Sequence, residues 1–157
     1  MTEASSRGRA ADRTRPPGTL TQTAALTVGA VFLLVGILGF IPGITAHYDM
    51  MSVAGPNSKA SLLGLFQVSI LHNIVHLLFG VAGIALARNH DWARLYLIGG
   101  GIIYLVLWVY GIAINLTSTA NFVPFNTADN WLHLVLGIGM VAAGVLTARA
   151  AASAARG

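Results

Sequence analysis

Two segments of this chain carry most of its chemistry. One reads His72-Asn73-Ile74-Val75-His76-Leu77-Leu78-Phe79-Gly80; the other reads Asp129-Asn130-Trp131-Leu132-His133-Leu134-Val135-Leu136-Gly137. Both contain Asn-x-x-His-Leu-x-x-Gly. A neutral imidazole can ligate haem iron or Zn²⁺, and near its usual pKa of about 6.5 it can pass protons. A carboxamide both donates and accepts hydrogen bonds. His72 and Asp129 occupy equivalent places one turn above His76 and His133, so they could pair and favour a protonated imidazole. The candidate polar or ligand site is therefore His72, Asn73, His76, Asp129, Asn130 and His133.

The elements that must position these residues follow from composition. The chain has 157 residues, 55% of them hydrophobic and only 9% charged. Soluble domains carry about 25% charged residues, so an ordinary soluble enzyme is excluded. A mean hydropathy of +0.73 also excludes a disordered chain. With no cysteine, disulfides, thiolate metal sites and Cys nucleophiles are excluded.

Four continuous apolar runs predict transmembrane helices at about 20–41, 62–87, 94–116 and 129–148. Each meets the roughly 20 residues needed to cross a bilayer core of about 30 Å. The runs do not alternate as barrel strands would. The expected architecture is an all-α, four-transmembrane-helix bundle over residues 19–149. A flexible cytoplasmic tail of residues 1–18 precedes it, and a cytoplasmic tail of residues 150–157 follows. The apolar core of the first run, at about 20 residues, is too long for a cleaved signal, whose core spans roughly 7–15 residues.

Arginines 7, 9, 13, 15, 88, 94, 149 and 156 fall on one side of this topology and Lys59 alone on the other. Positive charge marks the cytoplasmic side, so both termini are placed there, in the plasma membrane. The basic balance is thus an orientation signal and gives no reason to expect nucleic acid. At the loops, Asp91 is the expected cap of helix 3, with Trp92 and Tyr96 at headgroup depth. Asn126 is expected to cap helix 4 with Asp129 at its third position.

The repeated motif predicts two tandem helix pairs about a pseudo-twofold along the membrane normal. Gly29, Phe32 and Gly39 then overlie Gly101, Tyr104 and Gly111. His76 lies 12 residues from Arg88 and His133 lies 16 from Arg149. At 1.5 Å per residue these are depths of about 18 and 24 Å, on facing helices in the outer half of the bilayer.

Ser69, His72, Asn73, His76, Gly80, Gly83 and Ala87 share one helical face. The first reading of this stripe is a packing seam in which Asn73, His76, Asn130 and His133 bond one another or Tyr104. On it the protein is a structural or accessory membrane component. The alternative is a His-based intramembrane site formed by His76 and His133: a proton or small-solute path, or a haem or metal centre. No His-Glu-x-x-His motif is present, and the spacing names no cofactor. No Ser/His/Asp arrangement supports catalysis, and Gly99-Gly100-Gly101, inside an apolar helix, is a packing feature. The expected partners are the lipid bilayer and a second copy or another membrane protein.

The His72–Gly80 stretch, Ala93-Arg94-Leu95-Tyr96, and Asn121-Phe122-Val123-Pro124 through Asn126 to Leu134 together resemble the actinobacterial membrane proteins of the domain-of-unknown-function 4383 family. The resemblance spans about residues 20–148. It implies a small four-span plasma-membrane protein and carries no activity with it.

Overall fold

Helix α1 (Leu20–Leu38) is followed by a loop with three short strands, then by α2 (Ile70–Leu86), α3 (His90–Ala113) and α4 (Thr127–Ala154). The computed structural model describes residues 20–154. The tail expected at 1–18 and the last three residues lie outside the described residues. Three helices, Leu20–Leu38, His90–Ala113 and Thr127–Thr147, are long and apolar enough to cross a membrane. These are the marks of a helical membrane protein. The apolar α2 is shorter, at 17 residues.

Glycines set how the helices meet. Gly29 lies against Gly80 and Gly83, Gly36 against Leu77, and Gly39 against Asn73. Rising numbers on α1 meet falling numbers on α2, so the two run antiparallel. Gly101 likewise meets Gly137 and Val141, and Gly111 meets Asn130, which makes α3 and α4 antiparallel. Without Cβ atoms the backbones approach closely, and dispersion replaces the hydrophobic drive that lipid removes. Between the pairs, Phe32, Tyr96, Leu97, Tyr104 and Met140 form the buried core.

The second helix differs most from expectation. It starts at Ile70, not near residue 62, because residues 61–67 are spent on a small antiparallel sheet. Strands β1 (Thr45–Ala46), β2 (Ser61–Leu62) and β3 (Phe66–Gln67) pair in that order, with Thr45 opposite Leu62 and Leu62 opposite Phe66. Leu63 (φ 55°) and Gly64 (φ 70°) turn the β2–β3 hairpin in the left-handed region. Ala60, Leu62 and Val68 pack beneath the sheet on Val35 and Leu38 of α1. Ser69, placed by the sequence on the helical stripe, is instead the N-cap of α2 and accepts from the His72 N–H at 3.1 Å.

The other ends also shift. α1 stops at Leu38, ahead of Pro42 and of Gly43 at φ 90°. α3 begins at His90, and its cap is Asn89, not Asp91: Asn89 Oδ1 accepts from the N–H groups of Asp91 and Trp92. It ends at Ala113 because Asn115 folds a turn, its Oδ1 accepting from Thr117 N–H. Tyr96 faces the bundle interior. It is 5% exposed, and its hydroxyl donates to the Phe79 carbonyl at 3.2 Å. α4 runs on through residues 150–154, which were expected in a tail, since alanines at 150, 151, 152 and 154 favour helix.

At the end of the helices opposite the sheet, Thr21 donates to Thr147 Oγ1 at 2.8 Å, and Thr147 donates to the Ala143 carbonyl. Interhelical bonds of this kind average about 0.6 kcal/mol in membranes. Thr21→Val should lower stability by about that amount in a denaturant titration in detergent micelles. A loss several times larger would mean the pair does more than pin α1 to α4.

Candidate functional site

The six candidate residues divide into two clasps, two wedges and two free imidazoles. His72 and Asp129 are the clasps, and they do not pair with each other. His72 is 4% exposed, and its Nδ1 lies 2.9 Å from the Pro124 carbonyl. A carbonyl only accepts, so Nδ1 carries the proton and donates. That bond ties the α3–α4 loop to α2. The carboxylate of Asp129 accepts from Asn126 N–H at 2.8 Å and from Gln67 N–H at 3.0 Å. Asn126 Oδ1 accepts from Asp129 N–H in return, which completes a reciprocal capping box at the start of α4. The same carboxylate, through Oδ2, therefore joins α4 to β3, while His72 spends its Nδ1 proton on Pro124.

Asn73 and Asn130 are the wedges. Each is buried, and each carboxamide sits directly on a glycine of the paired helix, Gly39 and Gly111. Among the described residues neither Oδ1 has a hydrogen-bond partner, and the Asn73 amide reaches only the Met51 sulfur at 3.9 Å. Carbonyl oxygens resting on a glycine Cα can make weak C–H···O contacts, and these pairs have that arrangement.

His76 and His133 are the free imidazoles. Among the described residues neither ring hydrogen-bonds to the protein, and the Nδ1 atom of each is buried without a partner. His133 is 5% exposed; His76 is half-buried. His76 packs on Phe32 with ring centroids 5.6 Å apart, His133 packs on Tyr104 at 5.2 Å, and Phe32 packs on Tyr104 at 5.3 Å. All four helices thus contribute one ring to a continuous row. The bonded seam expected among Asn73, His76, Asn130, His133 and Tyr104 is not formed, because ring packing rather than hydrogen bonding occupies the space between the pairs. Among the described residues no three His, Asp or Glu side chains converge closely enough to hold a metal ion.

A cavity of about 200 Å³ opens between α1 and α4 beside this row. His72, His76, His133, Tyr104 and Asp129 line it, and the rest of its wall is aliphatic or phenyl. Val31, Leu63 and Leu132, at its rim, are exposed. A second cavity of about 240 Å³ opens between α2 and α3, and His76, His133 and Tyr104 line it too.

Three residues of this region were given no role in the site by the sequence reading. Gln67 and Pro124 act through backbone groups, which side-chain chemistry does not advertise. Asn121 is fully buried and holds the α3–α4 loop, donating to the carbonyls of Leu116 and Phe125 and accepting from Phe125 N–H. Its position in the Asn-Phe-Val-Pro turn was the available signal.

No curated protein and no solved structure matches this chain. The family model described as a domain of unknown function, DUF4383, matches residues 22–146, which takes in every strand, the capping box and all six site residues, and the chain belongs to that family.

Proposed function

We propose that this is a four-span plasma-membrane protein with cytoplasmic termini, and that its cavity between α1 and α4 binds a small uncharged molecule resident in the bilayer. The observation that carries the reading is the pair of buried, unpartnered imidazole nitrogens, His76 Nδ1 and His133 Nδ1, on residues that line one cavity. An unsatisfied buried polar group costs about 1–3 kcal/mol, a cost that a hydrogen-bonding ligand removes. The largely apolar wall and the exposed aliphatic rim favour entry from lipid. The polar groups inside favour a headgroup bearing a carbonyl or hydroxyl.

Several features support the finer architecture. α2 has 17 residues, at the lower limit for a span, yet its contacts with α1 run from Gly29 to Gly39. The asymmetry of eight arginines against Lys59 supports cytoplasmic termini. The pairing of Gly29 with Gly80 and of Gly101 with Gly137, and of Phe32 with His76 and Tyr104 with His133, supports two tandem helix pairs about a pseudo-twofold. On this reading the partners are the lipid bilayer and, through the exposed apolar faces, a second copy or another membrane protein.

The structural or accessory reading draws on the wedges, Asn73 on Gly39 and Asn130 on Gly111. His76→Leu and His133→Leu separate the two. Losing an unpartnered buried nitrogen should be neutral or stabilising by about 1 kcal/mol in protein freed of ligand. Mass spectrometry of organic extracts of the purified protein should show a small molecule with the parent and none with either variant. If nothing co-purifies with the parent and both variants are destabilised, the imidazoles are structural and the binding reading fails.

A further inference from the structure

The α2–α3 cavity repeats part of the lining of the α1–α4 cavity. The offset that lays Gly29 on Gly101 also lays Val31 on Ile103, Phe32 on Tyr104 and Val35 on Leu107. The offset that lays Asn73 on Asn130 lays Val75 on Leu132 and His76 on His133. Val31, Val35 and Leu132 line the first cavity; Ile103, Leu107 and Val75 line the second. The volumes are about 200 and about 240 Å³. Both have exposed rims: Val31 is 49% exposed and Ile103 53%.

We propose that the α2–α3 cavity is a second site for the same class of molecule, so that one chain holds two, one on each side of a shared imidazole pair. This rests on the reading of the first cavity as a ligand site. His72, His76, His133 and the Tyr104 ring line both cavities. Among the described residues the Nδ1 atom of each of His76 and His133 is buried without a partner, and a neutral imidazole offers one donor and one acceptor. The rings together therefore offer a donor for a carbonyl and an acceptor for a hydroxyl. The ligand class is a lipid-soluble compound whose headgroup carries a carbonyl or hydroxyl, such as a quinone or its quinol.

The test uses the full chain in phosphatidylcholine nanodiscs, with decylbenzoquinone and the corresponding quinol as probes. Equilibrium binding of the parent should saturate at two probe molecules per chain. Val35→Trp, which fills the first cavity, and Leu107→Trp, which fills the second, should each leave one, and the double variant none. A diazirine derivative of the probe supplies a readout on the unaltered parent, with labelling expected on both the Val31–Leu132 side and the Val75–Ile103 side. If the parent binds one molecule, lost in Val35→Trp and kept in Leu107→Trp, the second site is refuted while the first stands. Labelling confined to the Val31–Leu132 side refutes it in the same way. If the parent binds neither probe, the ligand class proposed here is wrong, and the co-purification experiment decides separately whether the first cavity is a site.

Discussion

Gly80→Ala should destabilise the protein by about 2–3 kcal/mol, toward the upper end of the usual cost of overpacking. A methyl group at Gly80 would lie 2.5 Å from Leu33 N and 2.8 Å from Gly29 O. These are backbone atoms of the facing helix, and no rotamer change can move them. α1 and α2 would have to separate along their contact. Gly29→Ala and Gly101→Ala should behave alike, since their methyl groups would meet backbone of Gly83 and Ile84, and of Gly137 and Val141, at 2.8–2.9 Å. At Gly137 the nearest obstruction is the Leu105 side chain, which can swing aside, so Gly137→Ala should cost less. Gly99 and Gly139 have nothing within 4 Å of an added methyl. There the same substitution should be neutral or stabilising by up to about 1 kcal/mol, through helix propensity. SDS-titration unfolding in mixed micelles measures all six. If Gly80→Ala and Gly99→Ala proved equivalent, close backbone contact would not be what holds the first helix pair together.

The second large effect is expected at Asp129. Its carboxylate satisfies two N–H groups, of Asn126 and Gln67, and it is 3% exposed. Asp129→Ala leaves both donors without their acceptor. At about 1–3 kcal/mol for each buried group left unpaired, part of it recovered by relaxation, a loss of about 2–4 kcal/mol follows. Both N–H groups bond the same oxygen, Oδ2, so Asp129→Asn, which keeps one carbonyl oxygen able to accept both, should lose less. Hydrogen exchange supplies a local readout: the amides of Gln67 and Asn126 should exchange faster in Asp129→Ala, while those of mid-α3 should change only as far as global stability falls. Unaltered exchange at both amides would show that the carboxylate does not clasp β3 to α4, and would restore it as a candidate partner for His72.

Of the candidate site, residue identity was legible, and role only in part. The motif Asn-x-x-His-Leu-x-x-Gly and the residue before it in each copy drew attention to all six side chains, because polar groups in apolar helices stand out against their neighbours. The capping box at Asn126 and Asp129 was legible too, since it is a local pattern. The pairing of His72 with Asp129 was inferred from their equivalent places in the repeat. It failed because each had a nearer backbone partner in a loop, Pro124 for one and Gln67 for the other. The start of α2 was misplaced for a related reason. Leu62, Leu63, Leu65, Phe66 and Val68 extend the apolar run of the helix that follows, and periodicity alone does not separate a short apolar strand from a buried helix. Ser69 ahead of the run was the capping signal that marks the true boundary.

The sequence by itself determined that the chain is helical and lipid-directed, with 55% hydrophobic and 9% charged residues in four runs. It also determined where polar groups interrupt those runs. These are properties of composition and local spacing, and backbone hydrogen bonding in lipid leaves the runs no option but helix. Tertiary structure alone decided which polar groups are satisfied. Asp129 and His72 found loop backbone, the asparagines came to rest on glycines, and His76 and His133 were left facing cavities between the helix pairs. The reason is physical: whether a buried donor or acceptor is paired depends on what distant segments bring within about 3 Å of it, and spacing along one helix carries no record of that.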